Sequence, residues 1–306
     1  MRVMLTGASG FVGRWALLAL ARRGADVYAV CRRRPSTVTK FTWLELDLLD
    51  ENAAGIAVAA AKPDVVLHLA WTVEHGAFWT SPLNLSWVSA SLRLAEAAAT
   101  AGVTRFVAAG TCYEYRWPED GDCEEQATTL EPRTLYAISK DATRRVIAAY
   151  LADRQIDFAW ARLFFLYGPG EGTSRLVPAI CRALVANEPA RCSQGLAVRD
   201  FMDVRDVGAA LAAVTLSKLT GAVNIASGDG VSVARVAHKL GALAGLPNLV
   251  HLGALPDRAG EPPRITASGA RLRAATGFAP SRSLDEGLAD ALRYWREQTA
   301  CHGGAA

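Results

Sequence analysis

The amino-acid sequence predicts an α/β fold, a doubly wound parallel sheet with a smaller α/β region interleaved with it. Three observations predict it. Short apolar runs of β type alternate with helix-type runs through the first half of the chain, and such alternation implies a parallel sheet covered by helices on both faces. The first apolar run opens through three glycines, Gly7, Gly10 and Gly13, into an apolar helix-type segment. From Gly168-Pro169-Gly170 onward the strict alternation stops and Pro and Gly become frequent.

Taken in order, strands are expected at Arg2 to Thr6, Asp26 to Cys31, Thr42 to Asp47, Val65 to Ala70, Arg105 to Gly110 and Phe158 to Phe164. Helices are expected at Phe11 to Arg23, with Gly24 as its C-cap, at Leu85 to Ala101 and at Thr134 to Ala152. One domain is expected over 1–168 with about 200–226, and a substrate-binding region over 169–199 and 227–306. The chain has 306 residues and a mass of 32.6 kDa, enough to bury a large core. Its net charge of +3 offers no electrostatic case for nucleic acid. Six cysteines without a Cys-x-x-Cys pair, and a Met1 that runs directly into the first strand, imply reduced thiols and a cytoplasmic address. The longest apolar runs, such as Ala53 to Ala61, are too short to span a bilayer. The small-residue tail Gly303 to Ala306 is expected to fray.

In such a sheet, ligands bind at the carboxyl ends of the strands. Glycines let the backbone turn sharply and approach a ligand, and the helix that follows presents unpaired N–H groups to an anion. Gly7, Ser9, Gly10, Phe11, Val12 and Gly13 therefore form a seat for a dinucleotide pyrophosphate; a ligand-free glycine turn is the alternative. The strand-end residues Leu48, Leu69 and Ala70 lie on the same path, and Asp47 is a candidate for the adenine edge or, alternatively, the cap of the next helix. After the second strand, the position where an acid usually holds the adenosine ribose is Cys31, followed by Arg32, Arg33 and Arg34. A carboxylate 4 Å from a 2′-phosphate would repel it by about 4 kcal/mol at an effective dielectric near 20. Its absence beside three guanidiniums predicts NADP(H), held by Arg32 and Arg33. A solvated basic turn is the alternative.

Tyr136 and Lys140 stand four apart on a helix-type segment, so both project from one face. Lowering a phenol by three pKa units takes about 4 kcal/mol of differential stabilisation, and a neighbouring ammonium supplies that kind of effect. Tyr136 could then exchange a proton with a hydroxyl or carbonyl. Thr111, directly after the strand expected at Arg105 to Gly110, could share the same oxygen.

With these motifs in order, the sequence resembles the extended short-chain dehydrogenase/reductase family, in its branch of sugar-nucleotide epimerases, dehydratases and 4-ketoreductases. The matching stretches are TGASGFVG at 6–13, DVVLHLAW at 64–71, AGTCYEY ending at Tyr115, YAISK at 136–140, RLFFLYGPG at 162–170 and RDFMDVRDV at 199–207. The resemblance covers about the first 230 residues and implies a Rossmann fold, a catalytic set of Thr111, Tyr136 and Lys140, and a nucleotide-diphosphate sugar as substrate. It also implies that Arg199 and Arg258 grip the diphosphate, a surface ion pair being the alternative for each, and that the two long helices pair in a homodimer.

Departures from the family pattern narrow the activity. The 4,6-dehydratases of this branch carry acidic groups directly after the catalytic Thr, where this chain has Cys112 and Tyr113, with Glu114 one residue further on. Phe165 and Trp87 replace residues that are often Asn in relatives, with Asn84 one turn before Trp87. Trp71, Cys112, Tyr113 and Phe165 are expected to shape the substrate pocket, and Phe78 and Trp79 either wall it or pack beneath the loop. Cys112 is read as a buried thiol, and Asp206 as a support of the fold. The histidines show no metal-ligand spacing, and no metal is expected. The reading that follows is NADPH-dependent reduction of the C4 carbonyl of a nucleotide-activated 4-keto-6-deoxy sugar. The alternatives are NAD-dependent 4-epimerisation and, from a different class, a non-catalytic NADP(H) binder.

Overall fold

Apolar runs, wholly buried in the central strands and partly exposed toward the edges, become the strands of the predicted sheet. In the computed structural model, which describes residues 1–36, 40–257 and 260–303 apart from the side chains of 301–303, the first six strands are β1 (Arg2–Thr6), β2 (Asp26–Cys31), β3 (Thr42–Glu45), β4 (Val65–His68), β5 (Arg105–Thr111) and β6 (Asp157–Leu163). After them come β7 (Phe165–Tyr167), β8 (Ala190–Arg191), β9 (Val198–Asp203), β10 (Gly221–Ile225), β11 (Gly230–Ser232), β12 (Val250–His251) and β13 (Arg264–Ile265). The helices are α1 (Gly13–Arg22), α2 (Ala53–Ala61), α3 (Leu83–Thr100), α4 (Leu135–Ala152), α5 (Leu176–Val185), α6 (Val204–Thr215), α7 (Val233–Ala244), α8 (Ala270–Thr276) and α9 (Leu284–Gly303).

The main sheet has the order β10-β6-β5-β4-β1-β2-β3, and every pairing in it is parallel. Strand periodicity sorts its side chains onto two faces. Val3, Leu5, Leu67, Val107 and Val223 face α1 and α6, which bring Leu17, Leu20, Val207 and Leu211. Met4, Val66, Phe106, Ala108 and Trp160 face α2, α3 and α4, which bring Ala57, Leu94 and Ile147. Small residues on α2 and α3 let those helices approach the sheet closely. A third core joins α5, α7 and α9, beside a second sheet in which β9 pairs β7, β11 and β13. The chain thus leaves the main sheet after β6 and returns to it through α6 and β10.

Three strands end earlier than the sequence suggests, β6 by one residue at Leu163 and the other two by two residues, each of these for a local reason. The third stops at Glu45 because Asp47 turns the chain, its carboxylate accepting the Leu49 N–H at 3.1 Å. Asp47 is not the cap of α2, whose N-cap is Asn52. The fourth stops at His68 because the amides of Leu69 and Ala70 both turn to the Thr6 hydroxyl, at 3.2 and 3.3 Å. Cys31, Cys112, Cys123, Cys181 and Cys192 are free and buried. Among the described residues no helix is long and apolar enough to cross a membrane, and no group of His, Cys, Asp or Glu is arranged to hold a metal. The tail from 304 onward lies outside the described residues.

Candidate active site

The first component is the turn from β1 into α1. Gly7 has φ +68, and a Cβ there would stand 2.8 Å from the amide nitrogen of Ala70. A Cβ on Gly13 would stand 2.0 Å from the Gly7 carbonyl oxygen. These contacts draw the helix onto the loop. α1 has no side-chain cap and no acidic residue in its first turn, and the amides of Ser9, Phe11 and Val12 donate to no backbone carbonyl among the described residues. Unsatisfied donors at an uncapped helix N-terminus suit a diphosphate, so these residues fit the pyrophosphate of a dinucleotide. Ser9 and Gly10 are exposed, while Leu48 is 4 % exposed and packs in the core.

At the end of β2, Arg32 and Arg33 are exposed. The structure adds a group that sequence order hides. Cys31 is in register with Glu45 of β3, and the Glu45 carboxylate accepts the Arg34 N–H at 2.8 Å. A carboxylate therefore stands near the strand end even though position 31 is a cysteine.

Thr111 closes β5 and caps the single helical turn Cys112–Glu114. Its hydroxyl accepts the Tyr113 N–H at 3.3 Å, and the Glu114 carboxylate accepts the Thr111 N–H at 2.9 Å, the reciprocal pair of a capping box. Tyr136 and Lys140 project from the first turns of α4, which is capped by Thr134. Both are buried, at 8 % and 5 % exposure. The Thr111 side chain lies near enough to the Tyr136 phenol to favour its phenolate, which brings the strand and helix residues together. Lys140 donates to the carbonyl of Ala109 at 2.9 Å, and its ammonium lies 3.8 Å from the centre of the Trp71 ring.

The electrostatics correct one expectation. Burial lowers Lys140 to about 7, partly opposed by Glu114, whereas burial pushes the Tyr136 phenol above its ordinary value. The groups that favour its phenolate are Thr111 and, through its charge, Arg175. Lys140 does not hold the phenol down here, because the same burial that isolates the tyrosine also disfavours the ammonium. Arg175 had no motif to flag it. Its guanidinium donates to the Val73 carbonyl at 3.3 Å and lies 5.7 Å from the Phe78 ring centre.

Glu114 is fully buried, and its oxygens accept from Arg162 Nε at 2.7 Å and from Trp160 Nε1 at 2.9 and 3.0 Å. Arg162 also donates to the Tyr115 hydroxyl at 2.8 Å, which donates to Asn224 at 2.8 Å. This ion pair floors the site beneath Thr111. The Thr-x-x-Glu pattern was the signal that could have located it. Asn84 is likewise committed: its amide donates to the carbonyls of Phe78 and Ser81, and its oxygen accepts from Trp71 Nε1 at 2.9 Å. Trp87 stacks on Trp71 with ring centres 6.1 Å apart.

The remaining predicted residues fall as follows. Cys112 is 2 % exposed and burial pushes its thiol well up, so it stays a thiol. Phe78 and Trp79 place their rings edge-on to Tyr136, at 4.8 and 5.9 Å, and Trp79 contacts Tyr113 at 4.6 Å. Tyr113 lies 6.4 Å from Phe165, and the Arg199 guanidinium lies 5.4 Å from the Phe165 ring centre. Arg199 pairs with Glu261 at 2.8 Å; the acids beside it in sequence are engaged elsewhere, Asp200 with Ser227 and Gly228 and Asp203 with Arg205. Asp206 anchors Ser281 and Arg282. Arg258 lies outside the described residues.

Comparison with known proteins agrees with this geometry. The model of the NAD dependent epimerase/dehydratase family matches residues 3–226. A UDP-glucose 4-epimerase of Azospirillum brasilense is 25% identical over 99% of this chain and 95% of its own. A 3-diazoavenalumate denitrifying reductase of a Streptomyces species is 31% identical over 94% of this chain and 99% of its own. Other relatives include further 4-epimerases and 6-deoxy-sugar reductases and 4-dehydrogenases. Among solved structures, MoeE5 in complex with UDP-glucose and NAD superposes with a TM-score of 0.86 at 30% identity, over 98% of this chain and 100% of the other. The glycine turn, the Thr–Tyr–Lys grouping and the family match lead to one conclusion: this chain belongs to the NAD dependent epimerase/dehydratase family, the sugar-nucleotide enzymes of the extended short-chain dehydrogenase/reductases.

Proposed function

We propose that the protein is an NADPH-dependent reductase of the C4 carbonyl of a nucleotide-activated 4-keto-6-deoxy sugar. The observation that carries the reading over epimerisation is the exposed Arg32–Arg33 pair after Cys31. A reductase consumes its cofactor stoichiometrically and draws on the phosphorylated, reduced pool; an epimerase regenerates its own. Against dehydration stands Glu114, the nearest acid to Thr111 in sequence, whose oxygens are taken by Arg162, Trp160 and the Thr111 amide.

The pyrophosphate would rest on the amides of Ser9, Phe11 and Val12, with Asp47, Leu69 and Ala70 along the adenosine and ribose path and Lys140 at the nicotinamide ribose. When bound, the nicotinamide supplies the hydride. Thr111 would orient the carbonyl oxygen and Tyr136 would give it a proton; a phenol held protonated by burial is ready for that direction of reaction. Lys140, near 7, could exchange protons with solvent to restore the phenol. Arg199, and Arg258 from outside the described residues, would take the diphosphate, Arg199 exchanging Glu261 for it. In this reading α5, α7 and α9 and the sheet around β9 form the substrate-binding region. A homodimer through α3 and α4 is supported by apolar residues left exposed on them, Leu85, Ile138 and Val146. Buried free thiols accord with a cytoplasmic protein.

The second reading, an NAD-dependent 4-epimerase, is favoured by Glu45, which puts a carboxylate near the 2′-phosphate position. Purified protein mixed with NADPH and dTDP-4-keto-6-deoxyglucose, and with the UDP- and GDP-linked counterparts, separates the readings. Loss of reduced-nicotinamide absorbance is the expected result. No oxidation, together with tightly retained NAD, would favour the epimerase.

A further inference from the structure

A lysine ammonium has three N–H groups, and the buried ammonium of Lys140 spends one of them on the Ala109 carbonyl at 2.9 Å. Much of what faces it otherwise is aromatic. The centre of the Trp71 ring lies 3.8 Å from its nitrogen and that of Trp160 of β6 lies 6.0 Å away, at the outer limit of a cation–π contact. Three titratable groups stand around it. Glu114, in the turn after β5, favours the ammonium by its charge but is itself paired with Arg162 at 2.7 Å. His68 of β4 is enclosed and neutral, lowered to about 3 by burial and by the Lys140 charge, and Tyr136, one turn earlier on α4, is kept protonated by burial. The Trp71 ring is fixed by its own neighbours. Its indole N–H donates to Asn84 Oδ1 at 2.9 Å, the Asn84 amide is tied to the Phe78 and Ser81 carbonyls, and Trp87 stacks alongside with ring centres 6.1 Å apart.

The face of an indole ring attracts a cation more strongly than any other side-chain ring, and most strongly where the cation is out of water. Burial alone works the other way and disfavours the charge. We propose that Trp71 is a positioning residue that acts through Lys140: its indole face stabilises the charged form of the buried amine and, with the Ala109 carbonyl, fixes the ammonium so that one N–H remains for a ligand. This assigns Trp71 to the lysine and not only to the pocket wall. The proposal rests on the reading above only for what that N–H would serve, the nicotinamide ribose; the hold on the charge is a property of the fold.

The test is an NMR titration, without substrate, of full-length protein isotope-labelled at lysine Cε. The chain has five lysines, and Lys140→Arg identifies the Lys140 signal by its loss. Replacing Trp71 separates two roles by sign. A ring that only buried the ammonium would, once removed, admit water and raise the proton affinity of Lys140, whereas a ring that stabilises the charge leaves that affinity lower when it goes. The expected result is a fall of about 10-fold in Trp71→Leu and of about 3-fold in Trp71→Phe, which keeps a ring with a weaker face and guards against a Leu variant that does not fold. An unchanged or raised affinity in either folded variant overturns the proposal. The pH profile of NADPH oxidation with dTDP-4-keto-6-deoxyglucose judges the reading separately. Its alkaline limb, where Lys140 loses its proton, should move to lower pH by the same factor; a limb that stays while the titration shows the fall upholds the proposal and removes Lys140 from the return of the proton. No oxidation at any pH would count against the reductase reading and leave the titration to decide on Trp71.

Discussion

The two ends of the site are built from different materials. At the end proposed for the dinucleotide, the groups open to a ligand are the backbone amides of Ser9, Phe11 and Val12, close together in sequence and held by the contact of Gly13 on Gly7. At the end proposed for the substrate, the groups are side chains drawn from five separate stretches: Trp79, Thr111–Tyr113, Tyr136, Phe165 and Arg199. The first end is a local conformation that glycine spacing alone can specify. The second exists only once the sheet has registered its strands. A change at the first end should therefore abolish cofactor binding outright, while changes at the second should separate chemistry, stability and specificity from one another.

The sharpest break in that contrast is Gly13→Ala. Its new methyl would stand 2.0 Å from a backbone oxygen that cannot move aside, so dinucleotide binding should be lost, as read by nicotinamide fluorescence, with a fall in melting temperature beside it. Next comes Tyr136→Phe. Removing the proton donor should lower turnover by about 10²- to 10⁴-fold while the dissociation constant of NADPH stays within about 3-fold; an activity indifferent to this change would break the enzymatic reading.

Glu114→Ala tests the floor. It leaves the Arg162 guanidinium buried without its carboxylate, and breaking a buried pair in this way costs about 3–5 kcal/mol. Denaturant unfolding should show that loss, and Glu114→Gln, which keeps an acceptor for the Thr111 and Trp160 N–H groups, should lose less. Replacing Arg32 and Arg33 together with Ala is a smaller perturbation of the cofactor end. It should weaken NADPH by about 10- to 100-fold, the worth of one or two charge-assisted hydrogen bonds, and leave NADH nearly unchanged. Equal effects on both cofactors would reassign the pair to a solvated turn.

The smallest effect concerns Glu171, just past the substrate end. Its Oε2 oxygen is enclosed without a hydrogen-bond partner, and burial pushes the carboxyl up to about 8 from an ordinary 4.5. The folded state thus holds a proton that the unfolded state has released between those values, so stability falls as pH rises from about 4.5 through 8. Glu171→Gln should abolish that decline, raising the melting temperature above pH 8 and leaving it unchanged near pH 4.

The strands of the main sheet and the Thr111, Tyr136 and Lys140 grouping were legible in the sequence because each depends on short spacings: uniform burial over five residues, a four-residue step on a helix, a strand end. The Glu114 floor was half legible. Thr-x-x-Glu announces the local turn, but Arg162 and Trp160 reach the carboxylate only because β5 and β6 pair with Gly110 opposite Arg162 and Ala108 opposite Trp160. The same limit applies at Glu45, which meets the end of β2 through the register of Cys31 with β3.

By itself, then, the sequence determined which segments form strands and helices, where the glycine turn opens into an uncapped helix, and which hydroxyl, phenol and amine lie at strand and helix ends. These are set by steric rules acting over a few residues. Only the tertiary structure decided which polar groups remain available: Glu114 and Arg199 were both claimed by residues distant in sequence, Arg162 and Glu261. It also decided the acidity of the site, because burial, which raises Tyr136 and lowers Lys140 together, belongs to the packed whole and not to the four-residue spacing between them.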